Sequence, residues 1–229
     1  MRFLDFARND KGCNLEMTRV VILCNGAFPT TDYPLYLLDS AEGVVCCDGA
    51  VEKFLSRYPD RIPLAIVGDM DSISDQMREK FAHVLVHYEE QDYNDQTKAM
   101  RWILANHPEV EEITILGATG LREDHTIGNL GLLMEYTRMF DLGGRRIQIV
   151  SDYGTAFAVT DTCELHLGEG RRFSLFCADN SVKISSAGLE WPTDDVVFDA
   201  WWKATLNRTV EPIVQLTFSH PAPALIIID

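Results

Sequence analysis

Apolar residues follow two rhythms along this chain. From Arg19 to about Ser151, short unbroken apolar runs alternate with stretches in which apolar positions return every three or four residues. The first pattern predicts strands buried on both faces, the second amphipathic helices. Strands are expected at 20–24, 44–47, 64–67, 84–86, 113–116 and 147–150. Between them fall a helix around 35–38, one with Val51, Phe54 and Leu55 on one face, and one from Ser74 as N-cap to Phe81. A fourth carries Met100, Ile103 and Leu104 at helical spacing, and a long fifth runs to about Met139. Strand and helix in alternation, joined by short loops, make a parallel sheet with helices on both faces.

Beyond Asp152 the helical spacing disappears. Short β-like runs at 156–159, 163–167, 173–176, 182–185, 196–198, 213–218 and 225–228, separated by turn residues, predict an antiparallel β-sandwich or barrel. The expected fold is therefore α/β plus all-β, with an α/β domain over residues 1–152 and a β-sandwich over 153–229. The boundary near Tyr153-Gly154 lacks linker composition, so close packing of the two parts is expected.

Charge changes the picture of partners. With 35 acidic and 20 basic residues the net charge is -15, which argues against a protein that grips a nucleic-acid backbone. A small anionic substrate then needs a divalent cation and a local arginine to screen it. The six cysteines, Cys13, Cys24, Cys46, Cys47, Cys163 and Cys177, form no C-x-x-C pair, and three lie in apolar strand-like runs, which fits a reduced, cytoplasmic protein. Residues 1–11 mix charges with single apolar residues and so do not read as a leader, and no apolar run is long enough to span a bilayer.

Chemistry concentrates in three loops that follow strands of the predicted parallel sheet. In Gly68-Asp69-Met70-Asp71-Ser72 two carboxylates are set two residues apart, which on an extended backbone turns both to one side. They repel unless a cation lies between them, so they read either as a hard-metal site or as a solvated turn. Asp92 and Asp95 form a second acidic pair at the opening of a helix, where Asp95 or Asn94 also serves as an N-cap. Four carboxylates gathered on one crevice would hold one or two Mg²⁺ through oxygen ligands and water. The third loop, Gly117-Ala118-Thr119-Gly120, offers backbone N–H groups at a helix start, followed by Arg122, Asp124 and His125. Backbone donors and a guanidinium suit phosphate oxygens. Metal-type carboxylates beside an anion loop describe a polyphosphate held by Mg²⁺, hence phosphoryl or pyrophosphoryl transfer.

These residues resemble the motifs of the thiamine pyrophosphokinase family, and the resemblance runs from Val20 to the C-terminus. The family's Gly-Asp-x-Asp-Ser is similar to Gly68-Asp69-Met70-Asp71-Ser72. Its Asp-x-Thr-Asp is similar to Asp92-Tyr93-Asn94-Asp95, with Gln91 before it and Thr97-Lys98 after. Its Gly-x-x-Gly-x-Arg-x-Asp-His is present as Gly117, Gly120, Arg122, Asp124 and His125, with Asn129 a turn later. Asp48-Gly49 resembles the family's second-strand ending, and Gly188-Leu189-Glu190-Trp191 its Gly-Leu-x-Trp. Two departures stand out: Asn94 replaces a threonine, and Ala204-Thr205-Leu206-Asn207 replaces Ser-Thr-Ser-Asn.

The resemblance implies transfer of a pyrophosphoryl group from ATP to the hydroxyl of thiamine, giving thiamine diphosphate and AMP. It implies Mg²⁺ on Asp69, Asp71, Asp92 and Asp95, with Asp71, Asp95 and Arg122 catalytic. Nucleotide contacts are expected from Asp48, Gly117, Thr119, Gly120, Arg122, Asp124 and His125. Acceptor contacts are expected from Gln91, Trp191, Thr205 and Asn207, in a homodimer. Trp201 and Trp202 either stack on the acceptor ring or fill the sandwich core. Other readings of the same residues are a pyrophosphokinase for another heterocyclic alcohol, a non-catalytic nucleotide or thiamine sensor, and a metal-dependent phosphohydrolase.

Overall fold

The computed structural model describes residues 2–5 and 18–229. The first half of the chain forms β1 (Arg2–Asp5), β2 (Arg19–Leu23), α1 (Asp32–Asp39), β3 (Gly43–Cys47), α2 (Ala50–Arg57), β4 (Ala65–Gly68), α3 (Asp75–Lys80) and β5 (Leu85–His87). There follow α4 (Asp95–Asn106), β6 (Glu112–Leu116), α5 (Glu123–Met139), β7 (Arg146–Ser151), β8 (Gly154–Val159), β9 (Cys163–His166) and β10 (Arg172–Cys177). The chain ends with β11 (Ile184–Ala187), β12 (Asn207–Arg208), β13 (Ile213–Phe218) and β14 (Ala224–Ile228). It divides into two compact units. One runs up to Leu132 and resumes over Gly143–Asp152; the other takes β1, Leu133–Leu142 and Tyr153–Asp229. Apart from β1, residues 1–11 lie outside the described residues, as does Cys13.

In the first unit six strands run parallel in the order β7-β6-β2-β3-β4-β5. The unbroken apolar runs explain why: every residue of β3 and β4 is buried, so both faces of these strands must be covered. Leu38, Val51 and Phe54 from the helices, and Phe81 just after α3, pack with Val21, Leu23, Val44 and Ile66 in one apolar cluster. The chain lays down β2 to β5 in one direction, then crosses back to place β6 and β7 on the other side of β2. The order therefore reverses between β2 and β6, and at such a switch point the loops leaving the strands' C-terminal ends open a crevice.

In the second unit the strands β12-β10-β14-β8 lie side by side, as do β1-β9-β13-β11. Buried and exposed residues alternate along β13, as expected of strands with one covered face. Phe157, Leu165, Leu175, Ile184, Leu216 and Ile226, from six different strands, share one core. The strands of residues 153–229 pair antiparallel, as expected, and β1 joins them by pairing with β9 in parallel. One expectation needs correction. Residues 196–198 form no strand: the Val196 N–H turns back to the Thr193 carbonyl at 3.0 Å, and Phe198 is buried from a loop.

The five described cysteines are free and buried. Among the described residues no helix is long and apolar enough to cross a membrane.

Candidate active site

The pairing of β3 with β4, with Cys47 opposite Val67, brings the residues that follow both strands out at one edge of the sheet. Asp48 leaves β3 with φ 42°, and Met70 bends the loop after β4 with φ 66°. Arg78 donates to the carbonyls of Met70 and Ile73 and holds that loop. As a result one carboxylate oxygen each from Asp48, Asp69 and Asp71 lie within 4.8 Å of one another.

Their environments differ. Asp48 is buried; its Oδ2 accepts from the Ser72 N–H at 3.1 Å, while its Oδ1 is buried without a partner among the described residues. An ionised oxygen so placed is costly. Burial, with Asp71 and Asp95 adding to it against the Ser72 hydrogen bonds, raises the Asp48 carboxyl to about 6. Asp69 accepts from Gln91 Nε2 at 3.2 Å, and this bond lowers its pKa. Asp71 Oδ1 accepts from the Ser72 hydroxyl at 2.8 Å.

Asp95, the first residue of α4, stands across Gly68 from Asp48. A Cβ added at Gly68 would lie 3.0 Å from the Asp48 Cβ and 3.3 Å from the Asp95 carboxyl, so a larger residue would press the two acidic segments apart. Burial raises the Asp95 pKa, and Asp69 and Asp71 push the same way. The opposing group is Lys98, whose buried ammonium lies 3.3 Å from Asp95 Oδ1. Asp92 is exposed on the loop before α4 and does not belong to the close-set oxygens.

Three carboxylates with oxygens this close, one of them buried and short of a hydrogen-bond partner, are a donor set suited to a hard divalent cation. The residues present thus fit Mg²⁺, with Asp48 in a place that sequence reading assigned to the nucleotide. Its adjacency to Asp69 comes from the sheet pairing and has no counterpart in sequence spacing.

The second half of the site lies at the switch point. Gly117 has φ 66°, and an added Cβ would sit 2.4 Å from the Cys24 carbonyl oxygen, so only glycine suits this bend. Three consecutive carbonyls of the loop are tied back. Gly117 O accepts from the Gly26 N–H at 2.7 Å, Ala118 O from Asn129 Nδ2 at 2.7 Å and Thr119 O from the Ala27 N–H at 2.9 Å. In a trans peptide the next N–H points opposite to the carbonyl. Those of Ala118, Thr119 and Gly120 are therefore all turned from these partners, and among the described residues nothing accepts from them. Such a run of donors at a helix start makes a nest for an anion.

Arg122 is exposed and donates from Nε and Nη2 to Asp124 at 3.1 and 2.5 Å. With the His125 N–H, this pairing holds the Asp124 carboxyl down at about 2. Asp124 thus orients Arg122, and the His125 side chain is exposed beside it.

Sequence reading passed over two supports of this loop. Lys53 donates to the carbonyls of Asn25 and Gly26, each at 2.8 Å. Asp152 accepts from the N–H and hydroxyl groups of Thr30 and Thr31. A lysine and an aspartate in ordinary surroundings give no signal in sequence; their partners are set by the β2 loop's path.

In the second unit Asn207 is buried, and its amide closes on the backbone of Trp191. The Trp191 N–H donates to Oδ1 at 3.2 Å and Nδ2 donates to the Trp191 carbonyl at 2.6 Å. Asn207 thereby fixes the segment that presents Trp191, itself 56% exposed. The Thr205 hydroxyl donates to the Trp202 carbonyl at 2.7 Å. Trp201 and Trp202 are 63% and 73% exposed, which rules out their filling the sandwich core.

Two family models match this chain. The one described as "Thiamin pyrophosphokinase, catalytic domain" matches residues 35–142, and "Thiamin pyrophosphokinase, substrate-binding domain" matches residues 154–221. The chain is 28% identical over 225 residues to "Thiamine pyrophosphokinase 1" of Oryza sativa subsp. japonica, covering 86% of this chain and 82% of that protein. It is 38% identical over 105 residues to "Thiamin pyrophosphokinase 1" of Caenorhabditis elegans, covering 44% of this chain and 43% of that one. Among solved structures, yeast thiamin pyrophosphokinase superposes with a TM-score of 0.73 at 16% identity, over 94% of this chain and 88% of its own. At that identity the superposition speaks for the fold.

Proposed function

The chain belongs to the thiamine pyrophosphokinase family, and on that premise we propose how its own residues carry the family's reaction. That reaction moves a pyrophosphoryl group from ATP to thiamine, and this chain is an enzyme of that kind. The acceptor hydroxyl oxygen forms a bond to the β-phosphorus, the bond from the β-phosphorus to the oxygen bridging to the α-phosphate breaks, and AMP and a proton leave.

Asp48, Asp69 and Asp71 hold Mg²⁺, with Asp95 close by across Gly68. The ion, when bound, supplies positive charge against the phosphate oxygens. The N–H groups of Ala118, Thr119 and Gly120 receive phosphate oxygens, and Arg122, oriented by Asp124, adds a cation at the loop's outer end. Lys98 offsets the charge of Asp95. Gln91 orients Asp69. Rate in such a transfer comes from holding the reacting oxygens in line and stabilising charge.

The observation that supports this reading most is that Asp48, buried with one oxygen unpartnered among the described residues, joins Asp69 and Asp71 in one cluster of carboxylate oxygens within 4.8 Å of one another. In the second unit Trp191, held by Asn207, presents an aromatic face to the thiamine rings. We further propose a homodimer built on that unit's exposed aromatic surface, and a cytoplasmic setting, which the free buried cysteines favour. AMP formation from ATP and Mg²⁺, with and without thiamine, tests the reading. AMP is expected only with thiamine, and Asp71→Asn should lower its rate by roughly 100-fold or more while leaving the fold intact. AMP formed equally well without any acceptor would count against it.

A further inference from the structure

We propose that Asn129 is a positioning residue for the phosphate-binding loop, coupled through Asn94 to the helix start that carries Asp95. The inference rests on the reading of residues 117–120 as that loop.

Three hydrogen bonds join two backbones through two side chains. The Thr97 N–H donates to Asn94 Oδ1 at 3.0 Å, Asn94 Nδ2 donates to Asn129 Oδ1 at 2.9 Å, and Asn129 Nδ2 donates to the Ala118 carbonyl at 2.7 Å. The Thr97 hydroxyl also donates to Asn94 Oδ1, at 2.9 Å. The polarity of this chain has one solution. A backbone N–H only donates and a backbone carbonyl only accepts, so the groups at the two ends fix which way each amide faces.

What the chain holds decides its role. Asn94 is the N-cap of α4, and Asp95 is the next residue. At the other end, fixing the Ala118 carbonyl fixes the direction of the Thr119 N–H, which points the opposite way across the same peptide plane. The carbonyls on either side, Gly117 O and Thr119 O, are held by the backbone of the β2 loop. The middle plane of the nest is therefore the one set by a side chain, and that side chain answers to the acidic helix. A shift of either half of the site is passed to the other without an intervening water.

A purely structural tie between α4 and α5 would show in stability, whereas a positioning role shows in turnover. Asn129→Ala removes both bonds while improving helix propensity, and Asn94→Gly keeps most of the capping benefit while removing the link. With the two single variants, the double variant and the unaltered protein, kcat for AMP formation, KM for thiamine, ATP affinity in Mg²⁺ and melting temperature are measured. Asn129→Ala is expected to lower kcat about 10- to 100-fold, as small misplacements of reacting groups do. KM for thiamine should stay within about 2-fold and the melting temperature nearly constant. The double variant should be no slower than Asn129→Ala alone, because both act on one chain of bonds.

Multiplicative effects of the two substitutions, or an unchanged kcat in Asn129→Ala, would overturn the proposal while leaving the reaction itself standing. If the unaltered protein bound Mg-ATP yet made no AMP, the reaction would fall instead. The coupling would then be read in ATP affinity, where a non-multiplicative pattern supports it and independent effects overturn it.

Discussion

Asp48 shows how one residue's burial ties stability to ligand binding. Its carboxyl is raised to about 6, chiefly by burial, against about 3.9 in an unfolded chain. Between these values the unfolded chain has released the proton and the folded protein still holds it. The Asp48 contribution to stability is thus fully present below about pH 4 and lost as pH rises to about 6, staying lost above. Replacing Asp48 with Asn keeps an oxygen for the Ser72 N–H and removes the charge. In a chelator at pH 8 the Asp48→Asn variant should melt several degrees higher than the unaltered protein. The gap should close as pH falls towards 4, and Mg²⁺ should no longer stabilise the variant. The same proton must leave before a cation binds, so Mg²⁺ affinity of the unaltered protein, measured by calorimetry, should climb from pH 5 to about 6 and level off above. An Mg²⁺ affinity flat across that range would argue that the Asp48 carboxylate is not a ligand.

At the scale of elements, the β2 loop and the 117–120 loop work as one piece. A methyl on Gly26 would lie 2.3 Å from Gly117 O and 2.8 Å from Thr119 O, both backbone atoms with nowhere to go. Gly26→Ala is expected to cost about 1–3 kcal/mol by overpacking and to lower ATP affinity more than tenfold, read by chemical denaturation and calorimetry. The far end of the β2 loop is held by Asp152. Burial alone would raise its carboxyl, and the donors of Thr30 and Thr31 outweigh that and bring it to about 2. Its contribution is therefore present above about pH 4 and lost as pH falls towards 2. Asp152→Ala should cost on the order of 2 kcal/mol at pH 7 and little at pH 2, by denaturant titration at each pH. Most elements of this unit are legible in sequence because strands covered on both faces leave unbroken apolar runs, as β2 and β3 do after their first residue and β4 does before its last. Ser74 and Asn94 show as caps for the same local reason, and both accept from an N–H three residues on. What spacing does not carry is the meeting of Asp48 with Asp69, or of Asn129 with Ala118. Those depend on which strands and helices become neighbours.

At the scale of the whole molecule, the second unit was legible where burial alternates, as along β13, and misread where a single buried side chain sits in a turn, as at Phe198. The parallel strand β1 pairs with β9 across about 160 residues of chain, a non-local partner that no local pattern announces. The exposed aromatics of this unit set up the last expectation. Trp191, Trp201, Trp202 and Leu206 are 56%, 63%, 73% and 82% exposed within a short stretch of chain. Large aromatic rings bury some 150–250 Å² each when covered, and an uncovered group of them on one segment marks an interaction surface. Asn207 and Thr205 hold that segment by hydrogen bonds to the Trp191 and Trp202 backbones, so its residues stay outward instead of collapsing into the core. Sedimentation equilibrium is expected to give twice the 25.8 kDa of one chain. Trp202→Glu, a charge placed on an already exposed position, should leave the melting transition of the monomer fold in place while shifting the mass to that of one chain. A protein that sediments as a monomer throughout, with thiamine turnover intact, would remove the dimer and leave the aromatic segment to the acceptor alone.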